Sequence, residues 1–141
     1  MFSSTLTKTA SGETEELCLF INPSGNIKKA YQILFEISFT STSNSIWEFY
    51  HNPTITNNGT VQSVIRTEGG VANNTINLYK SPTITVNSYG NPLRKFIVQS
   101  NTKEFSSRVP MVTLEPGNSI LVRRLNLRTG LITATYKWTE V

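Results

Sequence analysis

In the stretch Tyr31-Gln32-Ile33-Leu34-Phe35-Glu36-Ile37-Ser38-Phe39, the odd positions are Tyr, Ile, Phe, Ile and Phe, while Gln, Glu and Ser fall on even ones. A period of two sustained over this length defines a β-strand with one buried face, since side chains alternate across a strand but not around a helix. The segment near the other end of the chain repeats the pattern. Ile132, Ala134, Tyr136 and Trp138 share one face, and Thr133, Thr135, Lys137 and Thr139 the other.

Between these two anchors the chain is punctuated by turns. Asn22-Pro23-Ser24-Gly25-Asn26, Ser41-Thr42-Ser43-Asn44-Ser45, Asn58-Gly59, Glu68-Gly69-Gly70, Ser88–Pro92, Glu115-Pro116-Gly117-Asn118 and Arg128-Thr129-Gly130 each carry turn chemistry. They bound short apolar or alternating runs at Leu17–Ile21, Ile46–Tyr50, Thr54–Thr56, Val61–Arg66, Thr75–Tyr79, Ile84–Val86, Lys95–Gln99, Val109–Leu114, Ser119–Leu127 and Leu131–Glu140. Asn58-Gly59 reads as a hairpin turn and Asn101–Arg108 as a polar loop. No segment has helical spacing. The expectation is an all-β protein, an antiparallel β-sandwich or jelly-roll-like fold of nine or ten short strands. Residues 1–15 lack periodicity and read as an irregular N-terminal arm, leaving residues 16–141 as one sandwich domain.

Composition narrows the chemistry. All nine acidic residues are Glu and there is no Asp, which argues against an oxygen-ligand calcium loop. One His and one Cys supply no zinc set, so neither metal nor cofactor is expected. A single Cys also excludes an internal disulfide, and Cys18, within an apolar run, reads as a small buried hydrophobe. His51, just before Pro53, reads as an exposed loop residue rather than a catalytic base. No nucleophile elbow, P-loop or dinucleotide fingerprint is present, and nothing selects Glu36 with Glu48 as an acid–base pair over any other two carboxylates. The chain is expected not to be an enzyme. Gly69-Gly70 is expected to serve as a backbone bend. No run approaches a membrane span, and no signal peptide is legible at the N-terminus. The net charge of +4 comes from dispersed basic residues, not from a basic–aromatic patch, so nucleic acid is not an expected partner.

Candidate interaction residues follow from what remains. The N-terminal arm with Lys8, together with Arg66, Arg94, Lys95, Arg123 and Arg124, could face an acidic partner. Arg123 has a competing structural role, an ion pair with Glu140 on a neighbouring strand. Tyr50, Tyr79 and Tyr89 are candidates for stacking on a sugar face, as aromatic rings are. Trp47 shares one strand face with Phe49 and is expected to point into the sandwich.

One phrase occurs twice: Phe49-Tyr50-His51-Asn52-Pro53-Thr54-Ile55-Thr56 and Leu78-Tyr79-Lys80-Ser81-Pro82-Thr83-Ile84-Thr85. His51 stands opposite Lys80 and Glu48 opposite Asn77, so chemistry differs between the copies while aromatic, Pro and turn positions persist. The repeat is therefore read as two strand-and-turn units of one scaffold.

These phrases, with Leu114-Glu115-Pro116-Gly117-Asn118-Ser119-Ile120-Leu121-Val122-Arg123, Asn126 and the ending Lys137-Trp138-Thr139-Glu140, give a sequence order from about residue 30 onward that resembles a family of small tailed-phage virion proteins. These are of the capsid decoration, head-stabilising or head-fibre-anchoring type. The resemblance implies a β-sandwich, a homotrimer, and binding to the major capsid protein on the outer surface of a phage head. The location implied is the virion, after synthesis in the host cytoplasm. Arg123, Asn126, Trp138 and Glu140 occupy the family's closing positions. The segment Ser63–Gly70 departs from its Asn/Arg-rich pattern, with Arg66 alone kept in kind. The other expectation left open is a carbohydrate- or receptor-binding module of a phage tail.

Overall fold

The computed structural model describes residues 1–11, 14–40, 45–98, 105–108, 113–125 and 129–141. They form strands β1 (Phe2–Ser11), β2 (Glu15–Ile21), β3 (Ala30–Thr40), β4 (Ser45–His51), β5 (Thr54–Val61), β6 (Ile65–Arg66), β7 (Asn77–Ser88), β8 (Asn91–Val98), β9 (Phe105–Arg108), β10 (Thr113–Leu114), β11 (Ser119–Leu125) and β12 (Thr129–Glu140). Two six-stranded sheets result. Sheet A runs β10-β3-β12-β1-β6 with β9 also on β3, and sheet B runs β5-β7-β2-β11-β4-β8. β1 to β4 lie alternately in sheets A and B, so neighbours in sequence face each other across the core rather than pair. The protein is an antiparallel β-sandwich with a jelly-roll-like wrap.

Alternation explains sheet A directly. Ile132, Ala134, Tyr136 and Trp138 of β12 are buried, as are Ile33 and Phe35 of β3. They meet Phe20, Trp47, Phe49, Leu78, Ile120 and Val122 from sheet B, and Ile76 just before β7, in one cluster. Trp138 meets Phe20 edge-on at 5.0 Å and stacks on Phe2 at 5.8 Å, while Phe35 lies 5.1 Å from Phe49 and 5.0 Å from Tyr136. Each such side chain contributes about 1.5–3 kcal/mol by leaving water. Cys18 sits fully inside this cluster, and burial pushes its thiol up to about 12. It packs as a hydrophobe, as expected, and has no thiolate for chemistry near neutral pH.

Three sequence expectations are corrected. The lead-in is not irregular: Phe2–Ser11 pairs along its whole length with β12, from Phe2↔Trp138 to Ser11↔Thr129. Its inward face is Phe2, Ser4 and Leu6, all buried. A serine interrupts the apolar period, and the Ser4 hydroxyl is satisfied by donating to the Ser63 carbonyl at 2.5 Å. In the stretch expected to be a loop, Phe105–Arg108 forms β9 against β3. The chain also does not turn at Asn58-Gly59, because β5 continues through it. Gly59 has φ +95 and faces β7 so closely that a Cβ would lie 2.6 Å from both the Lys80 carbonyl and Ile84 Cγ1. Glycine here serves close strand approach at a bulge, which uses the same positive φ that a hairpin turn would.

The chain that follows the first copy of the repeated phrase lies beside the second. Ile55 pairs with Val86, Asn57 with Thr85 and Asn58 with Ile84; the register then jumps to Thr60↔Lys80, placing Gly59 opposite Ser81–Thr83. This unequal bulge contains Pro82, which cannot donate to a ladder. The first part of β7 pairs with β2, from Ile21↔Asn77 to Cys18↔Lys80. Its later part, carrying β5 with it, lies over the outer face of sheet B. There Ile84 joins Leu19 and Leu121 in a second buried cluster ringed by Ile21, Tyr50, Ile55, Tyr79, Val86 and Tyr89. By Asn91 the chain has reached His51 of β4 and begins β8. The β5–β7 strand pair is thus a flap that gives sheet B a covered outer face.

Candidate functional site: the latched flap and the basic edge

β11 must serve two interiors, because sheet B has the main core on one side and the flap on the other. Ile120 and Val122 point to the core and Leu121 to the flap, leaving Arg123 on the flap side and Arg124 on the core side. Arg124 is fully buried, with Nη2 2.9 Å from Glu15 Oε1. This corrects its placement among residues facing a partner: it is a core cation neutralised by the strand beside it, where Arg124 pairs with Glu15 in register.

Arg123 lies between two carboxylates. Its Nη1 donates to Glu48 Oε1 at 3.3 Å, and its Nε is 3.7 Å from Glu16 Oε1. The guanidinium carbon is 4.5 Å from the centre of the Tyr89 ring. The Tyr89 hydroxyl in turn donates to Glu16 at 2.5 Å. Burial first, and then the Glu16 carboxylate, push the Tyr89 phenol up to about 12. Tyr50 is displaced in the same direction by burial and by Glu48. Together these groups latch the turn after β7 onto sheet B. The ion pair expected between Arg123 and Glu140 does not form. Glu140 instead accepts from the backbone N–H groups of Thr75 and Ile76 and from Trp138 Nε1, at 2.9–3.2 Å. The closing Trp-x-Glu thus pins the Thr75 turn and is a structural device.

The tyrosines proposed for sugar stacking belong to this latch. Tyr50 and Tyr89 rings are 5.2 Å apart and tilted towards each other, and one face of Tyr89 carries Arg123. Tyr79 packs against the flap cluster. All three are half-buried, and their ring contacts are with each other, with Arg123 and with the flap cluster. Trp47 is buried in the core as expected. His51 ends β4, half-buried, with its Nε2 buried and without a hydrogen-bond partner, so it is not the exposed loop residue the sequence suggested. Glu36 pairs with Lys137 on sheet A while Glu48 holds Arg123 on sheet B, so those two carboxylates do not meet.

Of the other basic candidates, Arg66 pairs with Glu68 at 2.9 Å, and Arg66 is the main cause that lowers the Glu68 carboxyl to about 2. Lys8 is placed by its backbone, opposite Ile132, but its side chain is outside the described set. Asn126 also lies outside the described residues. Arg94 and Lys95 are exposed on β8, the last strand of sheet B. Gly69 and Gly70 both have positive φ and form the expected bend. Among the described residues, no three His, Cys or Glu side chains converge as a metal ion would require.

No family model and no curated protein sequence matches the chain. Among solved structures, a chain of the full particle of Israeli acute paralysis virus heated to 63 degrees is similar with a TM-score of 0.41 at 10% identity, covering 97% of this chain and 67% of that one. A chain of the pentamer of the same virus gives a TM-score of 0.37 at 10% identity, covering 81% and 46% respectively. Scores this low carry no argument about function, and the sandwich described above rests on the strand pairing of this chain.

Proposed function

We propose that this chain is a virion structural protein that binds the outer surface of a phage head as a homotrimer, cementing neighbouring major capsid subunits or anchoring a fibre. The observation that carries this reading is how the charges are distributed. Each described carboxylate is held within the chain: Glu15 by Arg124, Glu16 and Glu48 by Arg123, Glu36 by Lys137, Glu68 by Arg66, Glu115 by Lys29, and Glu140 by backbone amides. Glu68 and Glu115 are exposed but each lies beside a cation, so the exposed Arg94 and Lys95 place positive charge on a sheet edge of a chain whose net charge is +4. Such an edge favours an acidic shell and speeds encounter with it. Binding only the assembled shell shifts assembly towards the closed particle. The sequence resemblance supports the same reading, and the engaged tyrosines weaken the glycan-binding alternative.

The test uses heads from a strain lacking this chain. Purified protein should co-sediment with them to saturation and raise the temperature at which they release DNA. The double variant R94E/K95E should bind at least about tenfold more weakly. Heads that neither capture the wild-type protein nor gain thermal stability would overturn the proposal.

A further inference from the structure

The sheet edges of the sandwich differ in whether another strand could extend them. A sheet edge presents unpaired backbone N–H and C=O groups, and proteins blunt such edges with short strands, bulges, proline or charged side chains, lysine above all. β6 and β10 have two residues each, and β9 has four. β5 is interrupted by three register shifts. β8 is different. From Arg94 to Val98 it runs opposite Phe49 to Ser45 in unbroken register, and its proline, Pro92, lies before that run. Among the described residues nothing pairs with its far side. Leu93 packs on the core and anchors the strand, whereas Ile97 is 53% exposed.

We infer that the Arg94–Val98 edge of β8 accepts an extended acidic segment of a partner chain as an additional strand of sheet B. Main-chain hydrogen bonds would supply affinity, and the side chains flanking them selectivity. Arg94 and Lys95 make the edge cationic, so a strand carrying Glu or Asp opposite them is favoured. A second copy of this chain is disfavoured in the two-fold β8–β8 register that sets Arg94 opposite Lys95, and in the others it brings four cations onto one short strand pair. This inference rests on the reading of the protein as a capsid-binding one, and specifies how it would bind.

Arg94 and Lys95 point to opposite faces of β8, so the experiment uses the full chain and three blocked eight-residue peptides: Glu pairs alternating with Val pairs, Lys pairs alternating with Val pairs, and the Glu/Val peptide N-methylated at every residue. Amide exchange resolved by residue is measured with each. The Glu/Val peptide should slow exchange in β8 and leave β6 and β10 unchanged. The Lys/Val and N-methylated peptides should leave exchange in β8 unchanged, and R94E/K95E should weaken Glu/Val binding about tenfold. Equal binding of the N-methylated peptide, Glu/Val binding without β8 protection, or R94E/K95E binding it as tightly as the wild type would overturn the inference. So would β8 protection by self-association in the absence of peptide. The two proposals fail separately. Capture by heads with β8 amides unprotected removes only the added strand, whereas β8 protection by peptide without capture by heads removes only the capsid reading.

Discussion

The two sheets bury the same core, yet their outer faces differ. The outer face of sheet A is wet and carries cross-strand hydroxyl pairs, Thr5 with Thr135 at 2.9 Å and Thr7 with Thr133 at 3.3 Å. The outer face of sheet B is roofed by the β5–β7 flap, which completes the burial of Leu19 and Leu121. A strand wet on one side alternates in sequence, whereas a strand covered on both sides reads as a continuous apolar run. β12 is the first kind and Leu17-Cys18-Leu19-Phe20 the second. The difference separates a rigid sandwich from a lightly attached layer, because the flap is held by a small cluster and one polar latch.

Substitutions can break this comparison in a graded way. Trp138→Ala empties the junction between the sheets, where Phe2 and Phe20 meet it. It should cost about 3–5 kcal/mol and weaken both sheets together, seen as a single cooperative denaturant transition shifted to a lower midpoint. Leu121→Ala is aimed at the flap alone and should cost about 2–3 kcal/mol. Amide exchange should accelerate in β5 and in the later part of β7 while β3 and β12 keep their protection. Uniform acceleration would mean that the flap is not a separate layer.

Tyr89→Phe removes the latch hydroxyl and should cost about 1 kcal/mol. It also separates a pH effect. The phenol is raised in the folded protein from 10.0 to about 12, so its contribution is complete below pH 10 and is lost as pH rises towards 12. Flap exchange in the wild type should therefore quicken over that window, and the variant should lack this Tyr89-linked step. The smallest effect belongs to the open face of sheet A. Thr135→Val exchanges one exposed hydroxyl contact for strand propensity and should stay within about 0.5 kcal/mol of wild type by thermal denaturation.

The same contrast governs what the sequence could disclose. The β12 alternation and the inward Trp47 were legible because one face is dry and the other wet. β1 was hidden because Ser4 occupies an inward position, its cost removed by a hydrogen bond to Ser63 that no local pattern announces. The flap was hidden behind Asn58-Gly59, whose positive-φ glycine suits a bulge as well as a turn. The site was partly visible. Arg123 was singled out, but its partners Glu16 and Glu48 come from strands distant in sequence, and pairing with Glu140 looked equally good without the register. Arg124 looked like its neighbour because two adjacent arginines read alike in sequence while their side chains point to opposite faces of β11. Arg94 and Lys95 stood out as a basic pair, while their place on a regular edge required the strand order.

Electron microscopy of heads lacking this chain, imaged before and after adding it, tests the central claim most directly. The account predicts new density on the outer surface of the shell, in trimers, with β8 turned towards the capsid and absent when R94E/K95E is added at the same concentration. Heads that stay bare after incubation with the wild-type protein, or density placed with β8 facing solvent, would contradict it.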